Sequence, residues 1–273
     1  MNRTLLVTGG SGSLGRRVMA RASGWRAVGT YVSAPSASAT VHLDIRDPAS
    51  VRRVIAEVRP GAIVHTAAGR DRGDWAATAD GAAHVALAAA GIRLVHVSSD
   101  AIFSGRLGEY DEQALPDPVY PYGAAKAAAE TAVRAIDPTA AIVRTSLILG
   151  DGNGAHENLT RDLIAGRVKG ALFTDEIRKP VHVDDLADAL LELAAGDHAG
   201  VLNVAGADPI SRYDLGVLVA RRDGLDATAI PAASLKELGL ARPADLRLLT
   251  AKAEKLLSVR LRGATEFVRP GTV

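Results

Sequence analysis

Thr4-Leu5-Leu6-Val7-Thr8-Gly9-Gly10-Ser11-Gly12-Ser13-Leu14-Gly15-Arg16 (TLLVTGGSGSLGR) places a short apolar run directly before a glycine-serine turn, and LGRRVMARA continues beyond it with helical spacing. An apolar run of this length, bounded by turn residues, reads as a buried strand. The glycines at 9, 12 and 15 permit a tight turn, close approach of the backbone to a pyrophosphate, and tight packing of the following helix on the strand. In isolation such a turn is an ordinary loop. Between a strand and a helix, in the first βαβ unit, it has the context of a dinucleotide phosphate cradle. A helix beginning near Leu14 would aim its unpaired amides at the phosphates. Gly9, Gly12, Ser13, Leu14, Gly15 and Arg16 are therefore expected to line a cofactor.

The pattern of that first unit repeats along the chain. Strand-length runs TLLVTG (4–9), WRAVGTYV (25–32), ATVHLD (39–44), GAIVHTAA (61–68), IRLVHVSS (92–99) and AAIVRTSL (140–147) alternate with helical segments LGRRVMARA, PASVRRVIAEV, ATADGAAHVALAAAG and YGAAKAAAETAVRAI. Apolar strands joined by helices imply a parallel sheet covered on both faces, because right-handed crossovers need a helix between successive strands. The expected class is α/β, a doubly wound parallel (Rossmann) sheet over residues 1–147. Beyond it the pattern loosens into HENLTRDLIAG, VDDLADALLELAAG, SRYDLGVLVARRD and TAKAEKLLS, separated by short extended pieces. Residues 148–273 are expected to form a smaller, mixed substrate-binding lobe, with exchange of a strand or helix between the two parts allowed.

Bulk composition excludes several classes. The 273 residues are 48% hydrophobic with a formal net charge of +1, which is ordinary for a globular protein and provides no basic stripe for a phosphate backbone. Nucleic acid is not an expected partner. The absence of cysteine excludes disulfides and thiolate metal sites and fits a reducing compartment. No HExxH-like spacing is present, so no metal is expected. With no apolar stretch of membrane-spanning length and no recognisable leader, a soluble cytoplasmic protein is expected.

The ends of the second to fourth strands refine the cofactor. An acid at the end of the second strand would hold the ribose hydroxyls of NAD and repel a 2′-phosphate. Here the strand ends Gly29-Thr30-Tyr31-Val32-Ser33 without one, and Arg16 is in reach of such a phosphate. NADP(H) is therefore expected over NAD(H), although no second basic residue neighbours Ser33 in the sequence. Asp44, with Ile45 after it, is placed to accept from the adenine amino group. The small residues Ala67, Ala68 and Gly69 suit close passage beside the dinucleotide.

A second motif, Tyr120-Pro121-Tyr122-Gly123-Ala124-Ala125-Lys126 (YPYGAAK), puts a phenol and an ammonium one helical turn apart on one face at Tyr122 and Lys126. A phenol ionises near 10 and needs a neighbouring cation to exchange a proton close to neutrality. In the order TGGSGSLG, HTAAG, VSSD and YGAAK, the chain resembles the extended short-chain dehydrogenase/reductase superfamily. VSSDAIFSG, RKPVHVDDLADAL and RPADLRLLTAKAEKLL make it more specifically similar to the dTDP-4-dehydrorhamnose reductases and related sugar-nucleotide reductases.

The resemblance implies roles. Tyr122 is the general acid or base, Lys126 holds the phenol acidic and binds the nicotinamide ribose, and Ser99 hydrogen-bonds the substrate oxygen, with Ser98 the alternative one position earlier. Asp100 matches an acid beside that hydroxyl. Two departures stand out: Thr78 occupies a place where many members carry asparagine, and Ala101 follows Asp100 where the dehydratases carry glutamate. Dehydration is thereby disfavoured, while epimerisation uses the same Ser, Tyr and Lys and stays open. Arg178, Arg242 and the backbone of 147–156 are the expected contacts for a sugar-nucleotide diphosphate, since guanidinium groups bind phosphate oxygens bidentately. The expected activity is hydride transfer from NAD(P)H to a keto group of a nucleotide-linked 4-keto-6-deoxy sugar. The alternatives are a reductase or epimerase of another small molecule, and a non-catalytic cofactor-sensing subunit. A monomer and a homodimer are both compatible with the sequence.

Overall fold

The computed structural model describes residues 3–69, 71, 73–150 and 152–271. Among them two compact units are distinguished. The first comprises the described residues up to Ile102 with Tyr120–Arg144 and Ala187–Leu202; the second comprises Phe103–Val119, Thr145–Leu186 and the described residues from Asn203 on.

The first unit is built on a seven-stranded sheet of β1 (Thr4–Thr8), β2 (Arg26–Tyr31), β3 (Val41–His42), β4 (Ala62–His65), β5 (Arg93–Val97), β6 (Ala141–Arg144) and β7 (Gly200–Asn203). Their spatial order is β3-β2-β1-β4-β5-β6-β7, and every pair from β3 across to β6 is parallel. The order reverses between β1 and β4, so the crevice for a ligand opens at the carboxyl ends of those strands. The doubly wound sheet expected from the alternation is present. Its seventh strand, β7, is short and follows a long excursion of the chain, so local pattern does not reveal it.

The helices follow their sequence signals. Helix α1 covers Ser13–Arg21. Helix α2 (Pro48–Val58) starts with the Asp47 side chain accepting from the Ala49 N–H and Pro48 in its first turn, and ends at Arg59 in the left-handed region, φ 47°, before Pro60. Its buried stripe, Ser50, Val51, Val54 and Ile55, has the i, i+3, i+4 spacing of one helix face. A single π-turn, Ala76–Asp80, leads into α3 (Gly81–Ala88). Helix α4 (Pro121–Ile136) begins on Pro121. The core joins Leu6, Ile63, Leu94 and Ile142 of the sheet to Val51, Val54 and Ile55 of α2, Ala82, Val85 and Ala86 of α3, and Ala129 and Val133 of α4. Each large aliphatic side chain so buried contributes about 1.5–3 kcal/mol, and the alanines of α3 and α4 let their backbones approach the sheet closely.

The second unit carries a four-stranded sheet of Gly108–Tyr110, Ile177–Arg178, Ile210–Ser211 and Asp245–Leu248. The Asn203 side-chain amide donates to the carbonyls of Tyr110 and Leu249 at 3.0 and 3.1 Å, tying two separate stretches of chain. Helices Ala155–Ile164 and Arg212–Arg222 pack around Leu163, Leu172, Ala220 and Ile230. Glu157, 0% exposed, accepts from the Gly154 N–H at 2.8 Å and pairs with Arg222. No helix among the described residues is long and apolar enough to cross a membrane.

Removing one member of a buried ion pair leaves the other charge desolvated, at a cost of about 3–5 kcal/mol. Glu157→Leu is expected to lower unfolding stability by roughly 3 kcal/mol or more in urea denaturation. A loss under about 1 kcal/mol would mean that Asp223, 2.8 Å from the Arg222 Nε, neutralises the guanidinium alone.

Candidate active site

The turn after β1 is shaped for phosphate by two constraints. Gly9 has φ 72°, and a Cβ there would lie 2.9 Å from the backbone of Ala67. A Cβ at Gly15 would collide with the Gly9 carbonyl oxygen. The turn is closed by Gly12 N–H donating to Gly9 O and Arg16 N–H to Gly12 O, both at 2.9 Å. Gly12 caps α1 with no side-chain hydrogen bond, and Ser11, Gly12 and Ser13 are exposed. An uncapped helix start facing open space is what a pyrophosphate requires. Leu14 and Gly15 are buried against the sheet, while Arg16 is exposed beside the turn.

A cavity of about 480 Å³ opens from this turn. It is lined by Gly9, Ser11 and Gly12, by Thr30 to Ala34 at the end of β2, by Asp44, Ile45 and Arg46 after β3, and by Ala67, Ala68, Gly69 and Asp74 after β4. The expected cofactor residues on these loops therefore share one wall system, and no acid stands at the end of β2. The residues fit a dinucleotide. Asp44 is positioned by its neighbour, since Ile45 is buried in the core and its carbonyl lies 2.9 Å from His84 Nδ1 of α3. Thr78 Oγ1 accepts the Gly69 N–H at 3.3 Å and so holds the loop after β4.

Folding adds a cation that chain order hides. Arg46 grips Asp44 through Nε and Nη2 at 2.9 and 2.7 Å and comes within 4.0 Å of Asp74. Its hydrogen bond is the main reason the Asp44 carboxyl is held below the usual carboxylate range. Ser33 has no basic neighbour in the sequence, yet Arg46 lines the same cavity.

The candidate catalytic residues lie at the end of β5 and the start of α4. Tyr122 lies in the first turn of α4, partly exposed, and Lys126 lies one turn later, 5% exposed, donating to the Val97 carbonyl at 2.8 Å. Burial pushes the Lys126 ammonium down to about 8, against the opposing charge of Glu130. Ser99 is partly exposed and donates to Asp100 Oδ1 at 3.3 Å, while its oxygen accepts the Ala101 N–H at 3.2 Å. Ser98 is 2% exposed and its hydroxyl is enclosed without a hydrogen-bond partner. Of the two serines, Ser99 is the one a ligand can reach.

Two histidines underlie this cluster. Thr8, His65 and His96 stand side by side in the register of β1, β4 and β5. Thr8 Oγ1 is 2.6 Å from His65 Nδ1, and the two imidazoles stack at 5.2 Å. Burial and then the Lys126 charge push His65 down to about 3; burial, Lys126 and His65 together hold His96 well below its ordinary value. The dipeptide Val-His occurs four times in the sequence, at 41–42, 64–65, 95–96 and 181–182, so it does not single out His65 and His96.

Arg178 and Arg242 meet in the second unit at Glu176. Arg178 is 6% exposed and donates to Glu176, at 3.1 Å, and to the Pro243 carbonyl, at 2.9 Å. Arg242 is half exposed, 3.6 Å from the other Glu176 oxygen, with its guanidinium 5.3 Å over the Phe173 ring. Of the 147–156 backbone, Asp151 lies outside the described residues.

Two outcomes follow from this geometry. Gly15→Ala forces the phosphate turn open and is expected to weaken dinucleotide binding by at least about tenfold, or 1.4 kcal/mol, in a calorimetric titration; unchanged affinity would remove the turn from the binding site. His65 and His96 take up protons near pH 6.5 when unfolded but only at much lower pH when folded. The unfolded state then binds more protons, so stability falls as pH drops below about 6.5, by up to about 1.4 kcal/mol per pH unit per histidine. His96→Leu is expected to flatten that slope in denaturation curves between pH 7 and 5.

Comparison with known proteins agrees with the geometry. The family described as RmlD substrate binding domain matches residues 3–269. A dTDP-4-dehydrorhamnose reductase of Mycobacterium tuberculosis is 34% identical over 242 residues, 81% of this chain and 76% of that protein. Methionine adenosyltransferase 2 subunit beta of Rattus norvegicus is 27% identical over 282 residues, 93% of this chain and 83% of that protein. The crystal structure of dTDP-4-dehydrorhamnose reductase from Bacillus anthracis in complex with NADP superimposes with a TM-score of 0.84 at 25% identity, covering 98% of each chain. With a family match spanning nearly all of its length and a doubly wound sheet carrying Ser99, Tyr122 and Lys126 at its carboxyl edge, the chain belongs to the RmlD substrate-binding-domain family of extended short-chain dehydrogenase/reductases.

Proposed function

We propose that the protein is a reductase that uses NADPH, with NADH as a second choice, to reduce the keto group of a nucleotide-linked 4-keto-6-deoxy sugar of the dTDP-4-dehydrorhamnose type. The observation that carries it is the buried Lys126 one turn after Tyr122, with the reachable Ser99 at the end of the adjoining strand. The 34% identity to a dTDP-4-dehydrorhamnose reductase and the likeness to an NADP-bound one support the substrate class and the cofactor.

A bound reduced nicotinamide supplies the hydride to the carbonyl carbon. Tyr122 gives its proton to the developing alkoxide, and the Lys126 ammonium one turn away stabilises the phenolate left behind. Ser99 turns its single hydroxyl proton from Asp100 Oδ1 to that substrate oxygen, while the Ala101 N–H donating to Ser99 Oγ holds the hydroxyl in place. In the cofactor cavity Asp44, steadied by Arg46, is assigned to the adenine amino group, and Arg16, exposed beside the first turn, is assigned to the 2′-phosphate. The first unit is assigned to the dinucleotide and the second to the substrate. There Arg242, exposed and backed by Glu176 and Phe173, is assigned to the diphosphate, with buried Arg178 fixing Glu176 in place.

The 27% identity to methionine adenosyltransferase 2 subunit beta, over more of the chain than the reductase match, favours a second reading in which the protein binds the dinucleotide as a subunit of another enzyme.

The purified protein is expected to oxidise NADPH in the presence of dTDP-4-keto-6-deoxy sugars, and Tyr122→Phe to lose about a hundredfold or more in kcat, the scale of a general acid. Tight NADPH binding without turnover of any keto sugar would transfer the assignment to the subunit reading. A clearly tighter Kd for NADH than for NADPH would overturn the cofactor order.

A further inference from the structure

Lys126 shares the buried face of α4 with Glu130, one turn further on. Glu130 is 5% exposed and Arg144 of β6 is 2% exposed. The guanidinium grips the carboxylate through Nε at 3.1 and 3.2 Å and through Nη2 at 2.9 Å. An ion pair this deeply buried is poor value for stability alone, because desolvating both charges offsets most of their attraction and an apolar pair of similar volume often does as well. Its position suggests another use. A bare carboxylate one turn from Lys126 would hold the ammonium fully charged; a bare guanidinium would repel it; the clasped pair leaves a fraction of the carboxylate's field.

We propose that Glu130 and Arg144 are positioning residues for the reaction, an ion pair that acts on Lys126 from the far side of the site and sets how readily the Tyr122-Lys126 couple holds its proton. Among the described residues, the charged and titratable groups around Lys126 are Glu130 and Tyr122 on its own helix, buried Asp100 on the short turn after β5 that packs against α4, His65 on β4, His96 on β5, and Arg144 on β6 through Glu130. The histidines stay neutral above acid pH, being depressed by burial and by Lys126 itself. Near neutrality the ion pair is therefore the adjustable part. The proposal rests on Lys126 acting as assigned above, and its test is kept separate from turnover by using neither substrate nor dinucleotide.

The chain has six lysines, so ε-13C labelling gives a resolvable spectrum in which Lys126 is identified by its absence from Lys126→Met. Its titration midpoint is followed in the full-length protein, with Lys179, the other buried lysine, as internal reference. Glu130→Gln is expected to lower the midpoint and Arg144→Met to raise it. Each shift is expected to reach at least about half a pH unit, roughly a threefold change in the ionised fraction at fixed pH. Lys179 should be unmoved. The double variant Glu130→Leu/Arg144→Met, which keeps the core filled, is expected between wild type and Glu130→Gln. A merely structural pair would change melting temperature while leaving the midpoint in place. Opposite shifts in the two folded single variants establish the proposal; shifts in one direction, or none, overturn it. Should a single variant fail to fold, the double variant decides: a lowered midpoint supports the proposal and an unmoved one sinks it.

Discussion

A lysine ammonium enclosed at the carboxyl edge of the sheet is the constraint around which the site is organised. Ionising a buried amine is unfavourable unless fixed dipoles and charges replace its lost water. The Val97 carbonyl supplies one dipole at 2.8 Å and Glu130 supplies charge, yet burial still brings Lys126 down to about 8. An ammonium so poised stays largely charged near neutrality while remaining able to respond to the phenol a turn away. Burial first, and the Lys126 charge after it, keep His65 and His96 beneath it neutral, so no second cation competes for the space.

The phosphate turn solves the opposite problem. There α1 starts on Gly12 without a side-chain cap, and Ser11, Gly12 and Ser13 are exposed at its start. Its geometry depends on two absent methyl groups, since a Cβ at Gly9 would press on Ala67 and one at Gly15 on Gly9 itself. The cavity that follows is bounded by loops from four successive strands of the sheet, β1 to β4. Asp44 in its wall is held by Arg46 as well as by the burial of Ile45.

Much of the fold was legible because both periodicities were clean. Apolar runs at 4–9, 25–32, 61–68, 92–99 and 140–147 each contain a strand of the sheet, and the four helices between them lie where their spacing put them. β7 was not legible, because its pairing partner lies more than fifty residues away and four residues carry no period of their own. The small strands of the second unit, two to four residues long, escape pattern for the same reason. Of the candidate site, the glycine turn and the Tyr122-Lys126 pair were readable because each is local, its parts within a few residues of one another.

Sequence alone determined the chemistry on offer: a phenol and an amine one turn apart on one helix, a hydroxyl at a strand end, and a glycine turn between a strand and a helix. These are properties of backbone geometry over a few residues. Tertiary structure alone decided which charges act on that chemistry. Arg144 reaches Glu130 across 14 positions, His65 stacks on His96 across a strand pair, and Arg46 enters the wall that holds Ser33. It also separated neighbours that look alike in the sequence, enclosing Ser98 and presenting Ser99, and turning Arg178 inward while leaving Arg242 half exposed. The physical reason is that electrostatic interactions depend on distance in space and on the water removed between the groups, neither of which is written in chain order.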